Sequence, residues 1–195
     1  MKQNKCPWPG DNPEMIEYHD REWGRPCFDD TKLYEFFLLD TFQAGLSWAI
    51  ILSKRNNFKK AFSNFNVTKV VRYNRGEQNR LLRNSGIIRN KKKIESAITN
   101  AQRILDIQKE YGSFAKYLWS FTKGKTLQHS YKKIGEIPTA SSEAEAMSKD
   151  MRGRGFRFVG PTTLYAFMQG IGMVNDHLVS CFAYKEAKKA ISRRF

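Results

Sequence analysis

Long apolar runs are absent from this 195-residue chain, and nothing in it approaches the roughly 18 apolar residues that a membrane-spanning helix needs. Its first residues carry no secretory leader pattern, so the expectation is a soluble protein of the cytoplasm with no membrane partner. Cysteine is scarce. Three thiols in a chain of this size do not make a disulfide framework and fit a reducing compartment. Acidic residues are few as well: 19 Asp and Glu against 34 Lys and Arg give a formal net charge of +15, a field that favours a polyanionic partner and speeds its encounter. Nucleic acid is the first candidate, with a plain solubility role as the simpler reading. Internal repeats, low-complexity segments and Pro/Gly/Ser linkers are missing too, which argues for a single domain over 1–195, long enough to bury one core and expected to be a monomer.

What is present is helical periodicity, and alternating strand patterns are rare, so the expected class is all-α. Asp29-Asp30 is a helix-entry signal, and Leu33, Phe36, Phe37, Asp40 and Phe42 follow it in a segment running towards Gly45. A second helix carries Trp48, Ile51 and Leu52. Further helices are expected over 77–84, 91–110 and 114–121, then a loop through Pro138. Ser142 with Glu145 three residues on reads as a capping box, opening a helix that ends near Gly153. Pro161 suits the first turn of another, reaching about Gly170, and a last helix is expected to contain His177.

Between two of these helices lies Arg152-Gly-Arg-Gly-Phe-Arg-Phe-Val-Gly160-Pro-Thr. Gly155 and Gly160 allow a sharp turn and close approach to a ligand, and amides opening the second helix can face a phosphate. Arg152, Arg154 and Arg157 add positive charge. This suits gripping a DNA backbone without reading its sequence, although a plain helix–helix turn with a solvated basic face has the same composition.

Two metal-ligand pairs stand at opposite ends: Cys6 with His19, and His177 with Cys181. A spacing of four puts the second pair on one helix face. Together they make a Cys₂His₂ set suited to a structural Zn²⁺, one per chain, joining the N- and C-terminal segments. Buried thiols and hydrogen-bonded histidines are the alternative. Cys27 is left over and receives no role. The densest aromatic clusters are Tyr18-His-Asp-Arg-Glu-Trp-Gly24 and Gln43-Ala-Gly-Leu-Ser-Trp48. With Trp8 and Asp40 they are suited to line one pocket for a flat cationic heterocycle, the rings stacking and the carboxylate accepting N–H groups. A tryptophan-rich core with a solvent-facing aspartate is the plainer alternative.

These two strings, with the hairpin Arg154-Gly-Phe-Arg-Phe-Val-Gly160 and the closing Val174-Asn-Asp-His-Leu-Val-Ser-Cys181, resemble the DNA-3-methyladenine glycosylase I family, in order over nearly the whole chain. The resemblance implies a helix-hairpin-helix glycosylase-like fold, with the motif near 143–171, acting on double-stranded alkylated DNA by base flipping. It implies zinc on Cys6, His19, His177 and Cys181. It places the damaged base among Trp8, Tyr18, Trp23 and Trp48, with Asp40 as the acidic contact and the catalytic electrostatic group. Gly155, Arg157 and Gly160 would meet DNA, and Leu46 is the candidate to fill the gap left by the flipped base. Two positions depart from the family: Asp40 stands where glutamate is usual, and Met15 where tyrosine is often found. Asp176, 16 residues beyond Gly160, is a rival catalytic carboxylate or, more plainly, a helix cap or an orienter of His177. No lysine stands out as a lyase nucleophile.

Overall fold

The computed structural model describes residues 4–189. Eleven α-helices follow one another: α1 Pro13–Arg21, α2 Asp30–Gln43, α3 Trp48–Ser53, α4 Arg55–Ala61, α5 Val67–Val70, α6 Arg75–Arg83, α7 Lys91–Tyr111, α8 Phe114–Ser120, α9 Ser142–Gly153, α10 Pro161–Gly170 and α11 Phe182–Lys189. Single 3₁₀ turns occupy Ser63–Phe65 and Ile134–Glu136. No described helix is long and apolar enough to cross a membrane.

The all-α expectation needs one amendment. Leu127–Gln128 (β1) and Val174–Asn175 (β2) form a parallel ladder of two residues each, too short to show alternation in sequence. The ladder ties the 129–138 segment, which follows β1, to the chain that leads into His177.

Helix α2 is the axis of the molecule. Asp29 caps it, accepting from Lys32 N at 2.8 Å, and every residue from Phe36 to Phe42 is buried, the pattern of a helix surrounded by protein on all sides. Phe37 sits edge-on to Phe114, Phe156 and Phe167, so α2 is packed through one ring to α8, the hairpin and α10. Its last carbonyls are met by a buried lysine: Lys93 Nζ donates to Phe42 O at 2.7 Å and Ala44 O at 2.6 Å. That contact fixes where α2 stops and where the 44–47 turn begins.

Three expectations shift. Helix α1 was not anticipated over 13–21, although Asn12 caps it and Pro13 fills its first turn, a readable start signal. The cap of α9 is Ser141, whose hydroxyl accepts from Ala144 N, so the box expected on Ser142 moves back by one residue. His177 and Cys181 lie in the turn preceding α11, not on a helix face. Here the amides of Leu178 and Val179 go to Cys6 Sγ and Tyr131 O, so the helical ladder cannot extend back through them.

Candidate base pocket and Cys₂His₂ centre

The four cysteine and histidine side chains meet although the helix expected to present two of them is absent. All four are buried, and their ligand atoms lie within 4.8 Å of one another. Cys181 Sγ is 3.6 Å from His19 Nε2 and 3.8 Å from His177 Nδ1, and Cys6 Sγ is 3.8 Å from His177 Nδ1. The outward nitrogens are engaged: His19 Nδ1 faces Asp20 Oδ1 at 2.8 Å, and His177 Nε2 faces the Trp23 carbonyl at 3.1 Å. A ring nitrogen that donates to an oxygen leaves the other as a lone pair, so two bare nitrogens and two thiols converge. The thiols bias each other in opposite senses: hydrogen bonding with Cys6 lowers the pKa of Cys181, while contact with Cys181 and burial raise that of Cys6. Gly24 permits the closeness, since with φ +74° a Cβ there would stand 2.8 Å from His177 Nε2.

The aromatic residues share a wall with this centre. Trp8 packs edge-on to His19 at 5.4 Å between centroids, and Trp23 to His177 at 4.6 Å. On their other side Trp8, Tyr18, Trp23 and Trp48 line one cavity of about 340 Å³, together with Met15, Gln43, Gln169 and the 134–138 segment. The sequence reading therefore brought the right rings together. It missed Gln169, a single polar residue on a helix with nothing unusual in its spacing, and it missed the 134–138 segment, read only as loop. Helix α1, which carries Met15 and Tyr18, is pinned from behind: Arg55 makes a bidentate pair with Glu22 at 2.6 and 2.7 Å and reaches Glu35 at 2.7 Å.

Asp40 opens not on that cavity but on its neighbour. It lines a second space of about 270 Å³ with Leu46, Thr162 and Thr163, and the two cavities share Gln43 and Ala166. No described residue hydrogen-bonds its carboxyl. Burial pushes that carboxyl well above the usual carboxylate range, and burial followed by the nearby Asp40 pushes the Tyr18 phenol up likewise.

The hairpin sits at the far side of the second cavity. Gly155 has φ +86° and so meets the turn's demand for glycine, whereas Gly160, at φ −65°, is an ordinary extended cap of α10. No side chain caps α10, which leaves its first amides, beside Thr162 and Thr163, open to an anion. Asn100 holds the hairpin by accepting from Arg157 N at 2.9 Å and donating to Arg157 O at 3.0 Å. The Arg157 side chain is exposed. Arg154 is not available in the same way, being bound to Glu110, Asp150 and Tyr111, which corrects the expectation that all three hairpin arginines supply free charge.

Asp176 is fully engaged. Its Oδ1 lies 2.6 Å from His129 Nδ1, and its Oδ2 accepts from Tyr165 and Gln169, each at 2.7 Å. It caps no helix and touches no metal-ligand nitrogen, so both plainer expectations for it give way to a buried three-partner network.

Clustered aromatic rings with a buried carboxyl in the adjoining space, and a helix N-terminus opening beside them, give a helical protein whose shape suits a flat heterocycle next to a phosphate chain. The methyladenine glycosylase family model matches residues 8–184. A DNA-3-methyladenine glycosylase of Haemophilus influenzae is 40% identical over 177 residues, covering 91% of this chain and 96% of the other. That of Escherichia coli is 41% identical over 180 residues, covering 92% and 96%. Among solved structures, a 3-methyladenine DNA glycosylase I from Staphylococcus aureus superposes with TM-score 0.90 at 34% identity, covering 93% of this chain and 97% of that one. A tyrosine-to-phenylalanine variant of such an enzyme, solved in complex with 3-methyladenine, superposes equally well. The chain belongs to the methyladenine glycosylase family.

Proposed function

We propose that this protein is a monofunctional DNA repair glycosylase that takes a damaged nucleotide out of double-stranded alkylated DNA and hydrolyses the N-glycosidic bond of 3-methyladenine. The carrying observation is the cavity walled by Trp8, Tyr18, Trp23 and Trp48, set against the partnerless buried carboxyl of Asp40. Methylation at N3 makes adenine cationic, and hence already a good leaving group. Little general-acid power is needed. The rings attract the cation through their faces, and its arrival draws the Asp40 carboxyl towards its ionised form, whose charge then faces the base and the electron-poor sugar. Water attacks the sugar carbon as the bond to the base breaks, the bonding electrons leave with the base and neutralise it, and the water's proton passes to solvent.

Helix α9, the 154–160 turn and α10 serve as the helix-hairpin-helix element. Its open amides and Arg157 take backbone phosphates without reading sequence. Leu46 is the residue to occupy the vacated stack: it is 37% exposed, on the 44–47 turn, at the edge of the Asp40 cavity. The Cys₂His₂ centre fits Zn²⁺, because tetrahedral bonds of about 2.3 Å to sulfur and about 2.0 Å to nitrogen place neighbouring donors roughly 3.4–3.8 Å apart. Cys6, His19, His177 and Cys181 would hold it with no open position, so its part is to fix structure.

A second reading rests on one observation. Asp40 opens on the neighbouring cavity rather than the aromatic one, which suits a damaged-DNA-binding module without turnover. Incubation with alkylated duplex DNA decides between them. A glycosylase releases free 3-methyladenine and leaves intact strands with abasic sites, whereas tight binding to abasic DNA with no base released supports the silent module.

A further inference from the structure

Asp176 is 1% exposed, yet nothing in the reaction as described uses it. Of its three partners, only Gln169 reaches the aromatic cavity. A carboxylate offers acceptors only, so the end of the Gln169 amide that meets Asp176 Oδ2 at 2.7 Å is the NH₂ end. This orientation follows from chemistry, and it leaves Oε1 as the free end. No described residue donates to Gln169 Oε1. The residue itself is held in place by its main chain, whose carbonyl accepts from Gly24 N at 2.9 Å.

Two residues that line the same cavity carry buried polar atoms without partners. The indole Nε1 atoms of Trp8 and Trp48 are buried donors that no protein group accepts from. Of the groups on the cavity wall, Gln169 Oε1 is the acceptor whose orientation is fixed.

We infer that Gln169, locked one way round by Asp176, is a specificity residue that accepts an N–H from the bound base and selects 6-amino over 6-oxo purines. This deepens the glycosylase reading and rests on it. An alkylated adenine presents an exocyclic amine as donor, matching the amide oxygen of Gln169. An alkylated guanine carries an oxygen in place of that amine, which would set acceptor against acceptor at Gln169. Discrimination of this kind is strong because the wrong base leaves groups on both sides unpaired. Asp176 is a positioning residue, since it acts only by fixing which end of the amide faces inward.

The test is a titration of free 3-methyladenine and 3-methylguanine into wild type, Gln169→Leu and Asp176→Asn, with base release from alkylated DNA measured in parallel. Wild type should prefer 3-methyladenine. Gln169→Leu should cut that preference by about tenfold, the effect of one hydrogen bond in a closed site. Asp176→Asn offers both a donor and an acceptor to the amide, so it should lower the preference in the same direction, with melting temperature showing whether the fold survives. If Asp176→Asn does not fold, Gln169→Leu alone decides. An unchanged preference in Gln169→Leu, with wild type still binding and releasing 3-methyladenine, overturns this inference and leaves the glycosylase reading standing. Wild type that neither binds nor releases 3-methyladenine overturns both.

Discussion

The thiol of Cys6 lies 3.8 Å from Nδ1 of His177, across 171 residues of sequence. Because Trp8 and Trp23 pack directly on the two histidines of this cluster, the centre that joins the chain ends also backs the wall of the base pocket. Protein purified without chelator should contain close to one zinc per chain by elemental analysis. Cys6→Ser should lower the melting temperature and weaken 3-methyladenine binding together, because the rings lose their backing. Metal-free protein with an unaltered melting curve would refute the zinc assignment.

Asp40 is the buried carboxyl of the adjoining cavity. Free 3-methyladenine, neutral once released but more readily protonated than adenine, should bind wild type more tightly than adenine, and Asp40→Asn should lose more affinity for the former, since stacking alone treats the two faces alike. Asp40→Glu should keep the discrimination. Equal affinity of wild type for both bases would put the carboxyl outside the site.

The same residue gives a stability signature. Burial raises the folded pKa of Asp40 above its unfolded value, so the folded state holds the proton more firmly. The stabilisation from that bound proton is complete below the ordinary carboxylate range and disappears as pH rises through the raised pKa. Asp40→Asn does not titrate. Thermal melts should therefore find the variant more stable than wild type by several degrees at neutral pH, with the gap closing as pH falls to the ordinary carboxylate range. A gap that widens on acidification would contradict the sign.

Two hairpin arginines separate binding from folding. Arg157→Ala should weaken duplex binding alike across sequences and reduce the salt slope by about one, as loss of one phosphate contact does. Arg154, held by Glu110 and Asp150, should instead lower stability when replaced by alanine and leave the salt slope nearly unchanged. Salt-dependent binding isotherms for both variants are the measurement.

Lys93 lies behind the 44–47 turn, with its ammonium on two main-chain carbonyls. Lys93→Met keeps the length and removes the donor, which should cost about 1–3 kcal/mol in denaturant titrations. A loosened turn carries Leu46 with it, so base release from duplex DNA should fall more than affinity for the free base.

Much of this was legible in the residues before any coordinates. Asp29 announced α2, Pro161 announced α10, and the Cys and His pairs signalled a shared centre because few side chains suit one ion. Asn12-Pro13 carried an equally clear start that went unread. Other features depend on tertiary partners and leave no local trace. Lys93 is one of three successive lysines, and only the packing of α7 against α2 selects it. Gln169 acquires its orientation from Asp176 seven residues on. The turn from His177 to Cys181 has helical spacing but surrenders its amides to Cys6 and Tyr131. Asp40 was rightly singled out as a carboxyl near the rings, but its opening onto a neighbouring space depends on how α10 lies against α2.

The order of synthesis sets when the Cys₂His₂ cluster can form. A ribosome that has made Cys6 must add 171 more residues before His177 exists, which takes roughly 10–30 seconds at ordinary elongation rates. Throughout that interval Trp23 has no His177 ring to rest on. His177 and Cys181, the last-made members of the cluster, are therefore also the last residues to back the aromatic wall.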